Sequence, residues 1–254
     1  MTSPQTPRYP PAMRFGRSMT SLAHRTGLLV RVATTGSTTA LTFDDGPDPV
    51  FTPKILDLLA ERGARATFFV DGPSAEREPA LLRRITAEGH EIGLHGWSHT
   101  SAETPAMSGL RAQVRDLRRA KRAVGQRVRL YRPAYGHESR WTRLAAGLCG
   151  VQLVYWSAST EDWRPSPVAE LAGRIESAIQ PGAIVLMHDR LRTAVDPQAF
   201  DRQFMVDALS QALDHAERVV KFVTVSELRA VGTPVIRRRR HSHDALAPMI
   251  EQAL

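Results

Sequence analysis

From Thr38 onward the chain alternates short runs rich in β-branched and aromatic residues with amphipathic helical patterns, a rhythm that restricts it to consecutive βα units around a parallel sheet. The runs expected as strands are Thr38–Phe43, Ala66–Val70, Glu91–Leu94, Val128–Tyr131, Val151–Tyr155, Ala183–Met187 and Phe222–Val225. Helical patterns lie between them at Thr52–Arg62, Pro79–Glu88, Ala106–Val124, Glu138–Leu148, Pro167–Ile179 and Pro197–Glu217. Seven strands in strict alternation fit a βα barrel with about one unit missing, a single α/β domain, better than an open doubly wound sheet. No Gly-x-Gly-x-x-Gly follows the first strand, and Gly36-Ser37-Thr38 lacks the lysine of a phosphate loop, so nucleotide binding has no support.

The flanks read differently. Residues 1–36 are rich in Pro, Ser, Thr and Arg and are expected as a poorly ordered or extended lead-in, 37–231 as the barrel, and 232–254 as a basic tail. The apolar run Gly27-Leu28-Leu29-Val30 sits between Arg25 and Arg31 and is too short for a secretory signal, so a cytoplasmic location is expected. No stretch is apolar enough to predict a membrane span. One cysteine, Cys149, excludes a disulfide framework and an all-cysteine metal cage. Of the 34 basic residues only Lys54, Lys121 and Lys221 are lysines, and the arginines concentrate at Arg111–Arg122 and Arg237–Arg240. The first group reads as a solvated helix face, with anion binding as the minority reading.

Chemistry is placed by the strand ends, because βα loops converge at the carboxyl side of a parallel barrel. Phe43 leads into Asp44-Asp45, Leu94 into His95, Tyr131 into Arg132 and Met187 into His188, while Asp162-Trp163 follows the Val151–Tyr155 run. His95 and His99 are spaced i, i+4, so one helical turn would present both imidazoles together. With an aspartate from a neighbouring strand they make a set suited to a catalytic divalent metal: zinc most simply, with cobalt, nickel, manganese or iron also accepted. Asp44 and Asp45 diverge, so one can ligate while the other acts as base, although Asp-Asp-Gly-Pro-Asp-Pro is also good turn chemistry by itself. Arg132 is a cation able to hold an aspartate ionised, and His188 is a titratable acid at the same mouth.

Five segments in order, Thr42-Phe43-Asp44-Asp45-Gly46-Pro47, His95-Gly96-Trp97-Ser98-His99, Arg132-Pro133-Ala134-Tyr135-Gly136, Asp162-Trp163 and Leu186-Met187-His188, resemble the motifs of the NodB-like polysaccharide deacetylases, carbohydrate esterase family 4. The resemblance runs from about Thr38 to Leu228 and implies a distorted (β/α)7-type barrel, in agreement with the strand count. It implies Asp45, His95 and His99 as metal ligands, Asp44 as general base, Arg132 as its positioning partner, the Tyr135 N–H as oxyanion donor, and His188 as general acid tuned by Asp162. Trp163 and Leu186 are expected to wall the acetyl pocket, with Trp97 among the substrate-binding residues. Ser159 stands where the family often has a second aspartate, and Ala134 where proline is commoner.

The implied activity is metal-dependent removal of N-acetyl groups from a GlcNAc-type sugar or sugar conjugate, a soluble or carrier-linked one if the protein stays in the cytoplasm. Two other classes compete. An iron oxygenase would use the same two histidines and carboxylate but leaves Asp44, Arg132 and His188 without a role. A basic nucleic-acid or anion-binding protein would use the arginine-rich helix and tail, but low aromatic content and the lack of a recognisable module count against nucleic acid as a partner.

Overall fold

The computed structural model describes residues 27–216 and 219–237. Residues 1–26 of the expected lead-in and 238–254 of the expected tail, with Arg238–Arg240, lie outside the described residues. The first half comprises β1 (Leu28–Ala33), β2 (Thr38–Asp44), α1 (Phe51–Glu61), β3 (Ala66–Val70), α2 (Gly72–Arg77), α3 (Pro79–Ala87), β4 (Glu91–Leu94) and α4 (Leu110–Val124). It continues with β5 (Leu130–Tyr131), α5 (Arg140–Cys149), β6 (Gln152–Val154), β7 (Ala158–Ser159), α6 (Val168–Ala178), β8 (Ile184–His188), α7 (Gln203–Ala216), β9 (Lys221–Phe222), α8 (Val225–Ala230) and β10 (Thr233–Arg237).

These strands form one curled sheet in the order β10, β1, β6, β5, β4, β3, β2, β8, β7. β2 pairs in parallel with β3 on one side and β8 on the other, placing Asp44 opposite Phe69 and His188. The curl almost closes. Val32 N–H donates to Gly182 O at 2.9 Å, tying β1 to the approach of β8, and after pairing beside β1 the chain crosses from β6 to β7 against β8.

Side-chain alternation of period two then sorts each strand. Leu41, Phe43, Phe68, Val70, Val185 and Met187 pack outward under the helices, while Ala40, Phe69, Leu130, Val154 and Ile184 form a second apolar cluster inside the curl. A Cβ on Gly93 would lie 2.4 Å from the Phe69 ring, so the strand needs glycine there for Phe69 to fill the interior. Val225 and Leu228 of α8 join this inner cluster and plug its floor. Above it the inward positions turn polar: Thr42, then Asp44, Arg132 and His188.

Strands are found on the outer side of both domain limits expected from sequence. β1 lies inside the stretch expected as lead-in, because Leu28, Leu29 and Val32 are apolar residues buried on the sheet. β10 lies inside the expected tail and pairs antiparallel with β1, Leu28 opposite Arg237. The expected strand Phe222–Val225 is reduced to Lys221–Phe222, because Thr224 and Glu227 form a capping box that starts α8.

Candidate active site

Asp44, Asp45, His95, His99, Tyr135, Trp163, Leu186 and His188 line one cavity of about 510 Å³ at the carboxyl ends of the strands. Asp45, His95 and His99 each offer a ligand atom within 4.8 Å of the others. Nε2 of His95 and Nε2 of His99 stand 3.2 and 3.0 Å from Asp45 Oδ1, yet that oxygen is buried with no hydrogen bond of acceptable geometry. Two imidazole nitrogens and a carboxylate oxygen converging on one point without bonding each other are a donor set that fits a divalent cation. The other oxygen, Asp45 Oδ2, accepts from Arg192 N–H at 3.1 Å, which fixes the carboxylate plane. Burial opposes charge on Asp45, but His99 and His95 outweigh it and hold the carboxyl well below its ordinary pKa.

The two histidines meet by a different route from the helical turn expected. Residues 95–99 form a loop that passes through Gly96 at φ 92° and ends with His99 at φ 50°. Asp116 of α4 clamps it, accepting from Trp97 N–H at 2.7 Å and Ser98 N–H at 2.9 Å. Asp45 and Tyr135 also sit in the left-handed region, at φ 72° and 57°. Side chains rarely tolerate that conformation, and here three instances ring one cavity.

Beside the triad, Arg132 is fully buried and donates to Asp44 Oδ1 at 2.7 Å, Thr42 Oγ1 at 2.8 Å and Tyr155 O at 3.1 Å. Asp44 Oδ2 has no hydrogen bond among the described residues and stands 3.8 Å from His95 Nδ1. Across the cavity, His188 Nδ1 lies 3.0 Å from Asp162 Oδ1, and His188 N–H donates to Asp162 Oδ2 at 2.9 Å. Burial disfavours charge on His188, yet Asp162 outweighs it and the imidazole pKa rises. Asp162 itself moves down: burial would raise it, but His188 and Arg202 prevail. Trp163 meets His188 edge-on, ring centroids 5.8 Å apart, and the Tyr135 backbone N–H has no acceptor among the described residues.

One expected residue is elsewhere. Trp97 does not line the cavity: its ring fills the space over Gly72, where a Cβ would come within 2.3 Å, and the Arg119 guanidinium stacks on it 3.6 Å from the centroid. Asp116 and Arg119, one turn apart on α4, hold its N–H and its ring respectively, so the side chain stays on the helix side. Trp156 takes a place on the cavity wall instead, stacked on Tyr155. Sequence reasoning also missed Arg202, fully buried, which pairs with Asp162 and donates to Asp162 O at 2.8 Å. The rim residues Leu191, Thr193, Val195 and Asp196 were missed with it. All except Trp156 follow β8 in its long loop to α7, and that loop length was the one available signal.

The chain is similar to known proteins in sequence and in fold. The family model for polysaccharide deacetylases matches residues 31–154. The chain is 35% identical over 192 residues to a peptidoglycan-N-acetylglucosamine deacetylase of Bacillus cereus, covering 74% of this chain and 86% of that one. It is 38% identical over 151 residues to a chitooligosaccharide deacetylase of Sinorhizobium fredii, covering 59% and 70%. Among solved structures, the Bc1960 peptidoglycan N-acetylglucosamine deacetylase superposes with a TM-score of 0.69 at 30% identity, over 82% of this chain and 95% of that one.

Proposed function

From the chain's membership of the polysaccharide deacetylase family, shown by these matches, we propose that it hydrolyses the N-acetyl amide of an N-acetylglucosamine-type saccharide. The observation that carries the reading is the convergence of Asp45, His95 and His99 between a carboxylate, Asp44, and an imidazole, His188, in one cavity. The triad would hold a divalent cation, zinc being the simplest fit. Such an ion supplies Lewis acidity to the amide carbonyl and to the attacking water.

Asp44 Oδ2, free while Arg132 fastens Oδ1, takes the proton from water as it attacks the acetyl carbon. The Tyr135 N–H, without an acceptor among the described residues, donates to the oxyanion that forms. His188 as imidazolium then protonates the sugar nitrogen, which leaves as an amine while acetate remains. Asp162 keeps the ring charged and oriented, and Leu186, Trp163 and Trp156 wall the acetyl methyl.

The substrate we favour is a soluble or carrier-linked saccharide, such as the chitooligosaccharides for which the Sinorhizobium relative is named, over an insoluble polymer. A cytoplasmic location belongs to the same proposal, and cell fractionation tests it. The deciding experiment is acetate release from chitooligosaccharides, nucleotide-linked N-acetylglucosamine, peptidoglycan and insoluble chitin. The protein is stripped with a chelator and reloaded with zinc, cobalt, nickel, manganese or iron. We expect turnover of the soluble sugars, loss on stripping, and recovery on reloading. Efficient turnover of chitin or peptidoglycan would reverse the substrate preference, and full activity in metal-stripped protein would overturn the triad's assignment.

A further inference from the structure

The formal charge of +8 is not spread over the molecule. Residues 110–149 hold 11 of the 34 lysines and arginines but only two of the 26 acidic residues, which leaves 23 basic and 24 acidic residues in the rest of the chain. The whole excess therefore belongs to the α4–β5–α5 segment. Along α4, Arg111, Arg115, Arg118 and Arg122 succeed one another at spacings of four, three and four, which makes one exposed stripe about 16 Å long at 1.5 Å per residue. Among the described residues none of these four has a carboxylate within ion-pair distance, whereas Arg62, Arg84, Arg143, Arg174 and Arg202 all do. The acid of α4, Asp116, is turned to the Trp97–Ser98 backbone and cannot neutralise the stripe.

α5 packs alongside and adds the apolar half of the face. Leu144 and Leu148, one turn apart, are 43% and 59% exposed, and a groove of about 510 Å³ between the helices is lined by Leu110, Val114 and Leu148 together with the four arginines. A merely solvated charged face has no use for exposed leucines, and a site for a phosphate polymer would use the arginines alone. Cations beside exposed apolar side chains suit a bilayer interface, where arginines take lipid phosphates and leucines enter the headgroup layer.

We propose that the α4–α5 face docks on membranes rich in anionic phospholipid. The proposal goes beyond the deacetylase reading and stands or falls separately, because its readout is binding. The full-length protein is sedimented with phosphatidylcholine vesicles, with and without phosphatidylglycerol, over a range of salt. Wild type is expected to partition onto the anionic vesicles only, and less as salt rises. At about fivefold per cation, Arg115→Gln with Arg122→Gln should lower partitioning roughly 25-fold, while the charge-keeping Arg115→Lys with Arg122→Lys should stay within a few-fold of wild type. Leu144→Ser with Leu148→Ser should weaken vesicle binding but leave binding to inorganic polyphosphate unchanged. Thermal midpoints near that of wild type verify folding. The proposal is overturned by failure of wild type to bind anionic vesicles at low salt. Unchanged binding by the glutamine variant overturns it too, since another part of the chain, such as Arg237–Arg240, would then be responsible. Unchanged vesicle binding by the serine variant would mark a phosphate-binding surface and no membrane face.

Discussion

Opposite walls of the cavity are built from the same three residue types, a buried arginine, a buried aspartate and a histidine, and they present opposite chemistry. On one wall Arg132 occupies Asp44 Oδ1 and leaves Oδ2 without a hydrogen bond among the described residues, so a carboxylate faces the cavity. On the other, both oxygens of Asp162 are taken, Oδ1 by the His188 ring and Oδ2 by the His188 N–H and Arg202, so the imidazole faces it. Which group meets the substrate is decided by how many lone pairs the arginine and backbone leave unoccupied. The family model, matching residues 31–154, covers the first wall and stops before the second.

The largest effects should come from breaking the first wall. Asp44→Asn keeps the shape and the contact with Arg132 but cannot accept the proton, so acetate release should fall by about 10³-fold with little change in thermal midpoint. Near-normal turnover would place the base elsewhere. On the second wall, Asp162→Asn removes the charge that lifts the His188 pKa. A general acid works while protonated, and activity falls as pH rises through its pKa. Taking away the lifting charge should therefore move the alkaline limb of kcat to lower pH, with a loss of roughly 10²-fold at neutral pH. An alkaline limb that does not move would break the assignment of His188 as the acid.

The arginines sharpen the contrast further. Arg132→Met and Arg202→Met each strand a buried carboxylate and should each cost about 3–5 kcal/mol of stability, read from denaturant midpoints. Their effects on turnover should differ. Arg132→Met frees the base itself and should lower kcat the more. Arg202→Met removes a cation behind the acid, which favours His188 protonation and should push the alkaline limb upward. Equal losses of kcat with no change in the pH profile would reduce Arg202 to a packing residue.

The first wall was legible in the sequence because strands buried on both faces read as apolar runs, against which Asp44-Asp45, His95 and Arg132 stand out where the runs end. His188 stood out in the same way. Arg202 did not: it precedes α7, and only the return of the β8 loop brings its guanidinium to Asp162. Trp97 shows the opposite failure: it lies between the two expected histidine ligands in the chain, yet its ring is held under Arg119 of α4 and stays off the cavity wall. The strands β1 and β10 were illegible for a related reason. An apolar run flanked by arginines looks like linker until a distant antiparallel partner covers its edge.

Asp189 joins the two walls, and the smallest effect is expected there. It follows His188 in the chain, its carboxyl lies against Gly46 beside Asp45, and it accepts from Thr52 Oγ1 of α1. Burial, with Asp48 adding repulsion, pushes its pKa up to about 7. The unfolded chain has this carboxyl near its ordinary 3.8, so between about pH 4 and pH 7 the folded protein holds a proton that the unfolded one has lost. The folded state is favoured by that difference at the acid end, and wild type sheds stability as pH rises through the window. Asp189→Asn cannot ionise and should shed none of it. Measured on chelated protein, the variant's thermal midpoint should gain on wild type from pH 5 to pH 8, with the difference levelling above about pH 7. A constant offset across that range would mean that Asp189 is ionised throughout and that the seam between the walls is wetter than its burial implies.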